Sequence, residues 1–149
     1  MNWDKAALAA ICEEKCLTRI EEIKSAMEIA EDSIFNDTKS SMGDKYETSR
    51  EMAQQELNRL QNQLIQAEID LDRIKNLNLI SSESVIVGSI IITDQFDYFI
   101  SISVGPLKID DKTIMVVSKE SPIANVLLTK KVGDSIFFNG KTMTIKEIL

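Results

Sequence analysis

Apolar positions in the first half of the chain repeat at helical spacing. Cys16, Ile20, Ile23, Met27, Ala30 and Ile34 step by 4, 3, 4, 3, 4. Ala53, Leu57, Leu60, Leu64, Ala67, Leu71 and Ile74 step by 4, 3, 4, 3, 4, 3. Each is an a/d seam held over about three heptads. The intervening positions are mostly Glu, Lys, Gln, Asn and Arg, which suit a solvated helix face. Between the seams lies Asn36-Asp37-Thr38-Lys39-Ser40-Ser41-Met42-Gly43, rich in breaking and capping types, with Ser41 ahead of Asp44 as an N-cap signal. Two seams joined by a short turn inside 36–44 predict an antiparallel coiled-coil hairpin. Each arm of about 33 residues extends about 50 Å at the helical rise.

Near residue 80 the period changes. Val85–Thr93, Phe96–Ser103, Thr113–Val117, Ser135–Phe138 and Lys141–Ile148 are rich in Ile, Val, Phe and Thr and read as strands. Asn139-Gly140 is a two-residue hairpin signal, because a type I′ turn needs positive φ at both positions. Ser121-Pro122 ahead of Ile123–Leu128 reads as a short helix with Ser as N-cap and Pro at N1. The fold class is therefore α+β. A hairpin domain spans 1–79, and a small, mostly antiparallel sheet domain with one short helix spans 80–149.

Composition removes several chemistries. The chain has 149 residues, no His and a formal net charge of −7. Without His there is no Ser-His-Asp triad, no Cys-His nucleophile pair and no imidazole ligand for zinc. The acidic balance disfavours phosphate-driven binding to duplex nucleic acid. Residues 1–79 carry ten basic against sixteen acidic side chains, and 80–149 seven against eight. Cys12 and Cys16 share a helix face and read as small buried apolar residues, since no third Cys or any His could complete a metal site. No basic-then-apolar leader is present and no apolar run approaches the roughly 20 residues that span a bilayer. Reduced thiols without an export signal predict a cytoplasmic protein that does not engage a membrane.

A long helical hairpin followed by a small α+β domain resembles the Gre-type bacterial transcription factors, GreA and GreB. The most specific match is Ser121-Pro122-Ile123-Ala124-Asn125-Val126-Leu127-Leu128-Thr129-Lys130-Lys131-Val132-Gly133-Asp134. It is similar to the family's S-P-I-A-x-x-L-x-G-K-x-x-G-D stretch, with Thr129 in place of the mid-motif glycine. Val87-Gly88-Ser89 resembles the family's entry into its first strand, and Ile145–Leu149 its last strand. The resemblance implies an FK506-binding-protein-like second domain that docks on RNA polymerase near the secondary channel. Ser121, Pro122, Ile123, Lys130 and Lys131 would be the polymerase-binding residues. It implies a hairpin that enters the channel, where acidic tip residues help hold the second Mg²⁺ of the polymerase beside the RNA 3′ end. The chain itself would bind no cofactor, have no catalytic residues of its own, and act as a monomeric accessory factor rather than an enzyme.

The family tip reads G-D-x-x-E-N-x-E-Y, and Gly43-Asp44-Lys45-Tyr46-Glu47 matches its first part. Asp44 and Glu47, with Asp37 nearby, are the candidate residues toward the metal. A second register places Tyr46 on the family's Tyr and aligns Arg50-Glu51 with a common family pair. The acidic positions then fall on Lys39 and Met42, which cannot serve a metal. Carboxylates in the first turn of a helix also complement its dipole without any metal. Four readings stay open: a cleavage-stimulating factor, a channel-occupying regulator without cleavage activity, a folding helper on an isomerase-like domain, and an inert structural coiled coil.

Overall fold

The computed structural model describes residues 3–36 and 43–149; the side chains of residue 36 and residues 43–47 fall outside that description. Elements follow in the order α1 (Lys5–Asn36), α2 (Gly43–Lys75), β1 (Ile90–Thr93), β2 (Asp97–Ser101), β3 (Gly105–Ile109), β4 (Lys112–Ser118), α3 (Pro122–Leu127), β5 (Ser135–Phe138) and β6 (Lys141–Ile148). The chain forms two compact units. One comprises residues 14–72, the other residues 1–13 together with 73–149.

In the helical unit, Ile20, Ile23, Leu60 and Ala67 form a buried cluster with Ala26, Met27, Leu64 and Leu71 packed against it. These are the a/d positions of the two seams, plus Ala26. Arg19 Nη1 lies 3.4 Å from Asp70 Oδ2. Residue 19 of α1 thus meets residue 70 of α2, although only six residues separate the two helices. That pairing is possible only if the helices run antiparallel. The seam is narrow: Leu57, Leu60 and Ala67 are buried while Gln54, Asn58, Gln61 and Asn62 are exposed. Asp70 is the buried polar side chain within it, and it also accepts from Gln66 Nε2 at 3.1 Å. A buried acid held by a cation from the other helix penalises slipped registers, in which it would lose its partner.

The other unit is built on a six-stranded sheet of order β3-β4-β2-β1-β6-β5. All pairings are antiparallel except β2 with β4, and β3 makes the connection between that parallel pair. Central strands are buried on both faces, as Ile90 with Ile91 and Phe99 with Ile100 show. One face forms a cluster with Ile123, Ala124 and Leu127 of α3. Leu8 and Cys12, early in α1, are buried in the same unit. Asn139 and Gly140 adopt φ of 51° and 77°, as the type I′ turn between β5 and β6 requires.

Three local expectations are corrected. Residues 85–89 are not strand: the chain bends at Gly88, at φ 101°, and Val85 instead exchanges hydrogen bonds with Thr129 and Lys130. β3 carries weak strand signals, because Gly105-Pro106 opens it; as an edge strand it tolerates the missing proline N–H. Helix α3 ends at Leu127, one residue early, because Leu128 is already extended at ψ 138°.

Candidate docking surface

The segment 118–138 is assembled from local rules. Ser121 caps α3: its Oγ accepts from Ala124 N at 3.2 Å and donates to the Ser118 carbonyl at 2.7 Å. Pro122 follows at the first helical position, where its lack of an N–H costs nothing. Ile123, Ala124 and Leu127 turn into the core. Ile123 therefore anchors the helix and has almost no surface to offer a partner.

After α3 the chain makes a type II turn over Leu127–Lys130. Leu128 sits at φ −55°, ψ 138°, Thr129 at φ 73°, and Lys130 N donates to the Leu127 carbonyl at 3.1 Å. This turn asks for glycine at its third position. A β-branched residue there is strained, at a cost of about 1–2 kcal/mol. The turn is held by Thr129 N donating to Val85 O at 2.9 Å and Val85 N donating to Lys130 O at 2.8 Å. Thr129→Gly should therefore raise stability by about 1 kcal/mol, after the entropic cost of glycine in the unfolded chain. Thermal unfolding followed by circular dichroism checks this, and an unchanged or lower midpoint would contradict it.

The next turn is held by Asp134, whose Oδ2 accepts from Lys131 N at 2.8 Å, and by Gly133 at φ 93°. The capping, turn and core residues of the segment thus serve the fold. What the segment presents outward is different. Lys131 and Val132 are exposed, Lys130 is half-buried, and Val132 keeps 57% of its surface. Phe137 on the edge strand β5 keeps 68%. A groove of about 400 Å³ between α3 and β5 is lined by Val126, Leu128, Lys130 and Phe137 among others. Exposed apolar side chains in a segment that also carries two lysines suit a partner segment carrying both carboxylates and apolar residues. Sequence reading missed Phe137 and Val132, because an apolar residue in a short strand or loop gives no sign of which way it faces.

Arg73, near the end of α2, makes a two-pronged pair with Glu120, Nη2 to Oε1 at 2.8 Å and Nη1 to Oε2 at 3.3 Å. The guanidinium holds the Glu120 carboxyl below its ordinary pKa, chiefly through these hydrogen bonds. A carboxylate depressed in the folded state stabilises above its unfolded pKa and loses that contribution as pH falls through its folded value. Both side chains face solvent, so the contribution is small. In an NMR titration Glu120 should have the lower midpoint in the native chain and return to the ordinary glutamate range in Arg73→Gln; equal midpoints would show that the pair does not persist in solution.

Of the tip candidates, Asp37 lies outside the described residues, as do Lys39, Ser41 and Met42. Asp44 and Glu47 belong to the first turns of α2, with side chains outside the description. Among the described residues, no cluster of His, Cys, Asp and Glu forms a group able to hold a metal ion, and no helix is long and apolar enough to cross a membrane. Cys12 and Cys16 are buried and free of disulfide bonds.

No family model matches the chain, and no curated protein matches it. Among solved structures it is similar to one titled "Structure of the transcription factor Gfh1", at 20% identity over 92% of each chain, with a TM-score of 0.40. A likeness at that level carries no weight for function.

Proposed function

We propose that this chain is an accessory factor that binds bacterial RNA polymerase, docking through the surface around Lys130, Lys131, Val132 and Phe137 and acting through its helical hairpin. The observation that carries this reading is the backbone at Thr129. The sequence 121–134 is similar to the Gre-type stretch except where Thr129 stands for glycine, and there the chain still adopts φ 73°. A β-branched residue enters that region only when its surroundings impose it. The loop conformation suited to the family's glycine is thus kept at an energetic cost, which supports descent of the whole loop from that family.

The hairpin supports the same reading. Helices of 32 and 33 residues bury only a narrow seam. Such an element adds little core and is suited to reaching a site that a compact domain cannot enter. In this reading Asp44 and Glu47, with Asp37, would contribute carboxylates toward a Mg²⁺ that belongs to the polymerase, beside the RNA 3′ end. The factor itself would turn over no substrate. Of the two versions we favour stimulation of transcript cleavage, on the match of Gly43-Asp44-Lys45-Tyr46-Glu47 to the family tip. The folding-helper reading is disfavoured by composition: a prolyl-peptide pocket wants a dense aromatic lining, and residues 80–149 offer only Phe96, Tyr98, Phe99, Phe137 and Phe138.

The test is retention of purified polymerase on the tagged full chain, followed by a cleavage assay on a stalled, backtracked complex. Retention with cleavage supports the reading. Retention without cleavage selects the channel-occupying version. Absence of retention, with prolyl-peptide turnover present, would replace it.

A further inference from the structure

A second cavity of the sheet unit, far along the chain from the docking loop, has a composition the proposed function does not use. It measures about 370 Å³, within the range of small-ligand sites. Its apolar lining includes Trp3, Leu8 and Ile11 from the start of the chain and Ile109 from the end of β3. Its charged lining is Asp4, Asp110, Asp111 and Lys112, three carboxylates against one ammonium.

The indole is fixed in place. Trp3 Nε1 donates to Asp97 Oδ2 at 2.9 Å, which ties the N-terminal segment to the start of β2. Lys112 Nζ lies 5.6 Å from the ring centroid, so the ring already attracts one cation. The nearby Lys5 ammonium donates to the Leu79 carbonyl at 3.3 Å, on a residue that does not line the cavity. Asp4 is engaged on one side, since its Oδ1 accepts from Ala7 N at 3.1 Å. Asp110 and Asp111 form the β3–β4 turn, with Asp110 at φ 53°.

We infer that this cavity binds a linear aliphatic polyamine. Its methylene stem would pack on Trp3, Leu8, Ile11 and Ile109, and its ammonium groups would meet Asp110, Asp111 and Asp4. An anion is disfavoured by the excess of carboxylates, and an uncharged apolar ligand would leave the exposed Asp4, Asp110 and Asp111 unused. A compact metal cation would leave the apolar lining unused. The inference does not rest on polymerase binding, and its test involves no polymerase.

Trp3 is the sole tryptophan, so its emission reports on the cavity directly. Spermidine is titrated into the full chain, with magnesium chloride as the compact-cation control. Saturable change in Trp3 emission is expected with spermidine and not with magnesium, with amide shifts at Ile109–Lys112 in the NMR spectrum. In Asp110→Asn with Asp111→Asn, affinity should fall by at least about tenfold. Asn accepts positive φ as readily as Asp, so the turn survives, which circular dichroism verifies. Three results would each overturn the inference: no saturable change, an equal response to magnesium, or undiminished affinity in the double variant.

Discussion

Gly88→Ala should destabilise the sheet unit by about 2–5 kcal/mol, the sum of a positive-φ cost and an overpacking cost. Gly88 sits at φ 101°, and an added Cβ would lie 2.1 Å from the Asn78 carbonyl oxygen and 3.2 Å from its carbon. Those are backbone atoms, so no rotamer change relieves the clash. The residue also donates from its N to Ile100 O at 2.8 Å, which fixes the bend against β2. Gly105 provides the control. It has a similar φ of 94° but nothing within 4 Å of an added Cβ. Gly105→Ala should therefore cost only the conformational part, about 1–2 kcal/mol. Chemical denaturation of both variants measures the difference, and equal losses would show that the approach to Asn78 carries no energy.

If the hairpin tip acts as proposed, Asp44→Asn combined with Glu47→Gln should lower stimulated transcript cleavage by at least about tenfold while leaving polymerase binding unchanged. A carboxylate that helps retain a metal acts mainly in the transition state, where about 1.4 kcal/mol already gives that factor. Neither residue occupies an a/d position of the Ala53–Ile74 seam, so the hairpin should persist. Loss of first-turn carboxylates costs about 0.3–1 kcal/mol each. On that proposal the defect would be one of metal retention, so raising Mg²⁺ should partly restore the rate. Unchanged cleavage would move the role to Asp37 or to the register that places Lys39 and Met42 at the tip.

The hairpin was legible because a seam repeats. Thirteen apolar residues at steps of 3 and 4 specify two helices and the faces they share. The β5–β6 turn was legible because Asn139-Gly140 answers a backbone demand that few residues meet. Ser121-Pro122 marked a helix start for the same kind of reason. The features that escaped depend on what meets them across the fold. β3 is an edge strand opened by Gly105-Pro106, and its pairing with β4 rather than its own propensity makes it a strand. Residues 85–89 have strand composition, yet the close approach of Asn78 to Gly88 bends them. Thr129 gives no hint of its positive φ, because threonine ordinarily avoids it. The bonds from Trp3 to Asp97 and from Arg73 to Glu120 span 94 and 47 residues, separations that no local pattern encodes. At the candidate site the motif residues were legible as capping, turn and core signals. The exposure of Val132 and Phe137, on which the proposed docking surface rests, was not.

The proposed function places polymerase binding in the surface around the α3–β5 loop. Affinity of the full chain for purified bacterial RNA polymerase, compared with that of Lys130→Glu/Lys131→Glu, measures it most directly. Lys131 is exposed and Lys130 half-buried, and both support the loop through backbone atoms that the changes leave in place. The predicted result is measurable binding by the native chain, at least about tenfold weaker in the double variant at equal fold content and less sensitive to salt. Native-like affinity in that variant would place binding elsewhere on the chain, and no binding by the native chain at all would overturn the proposed function.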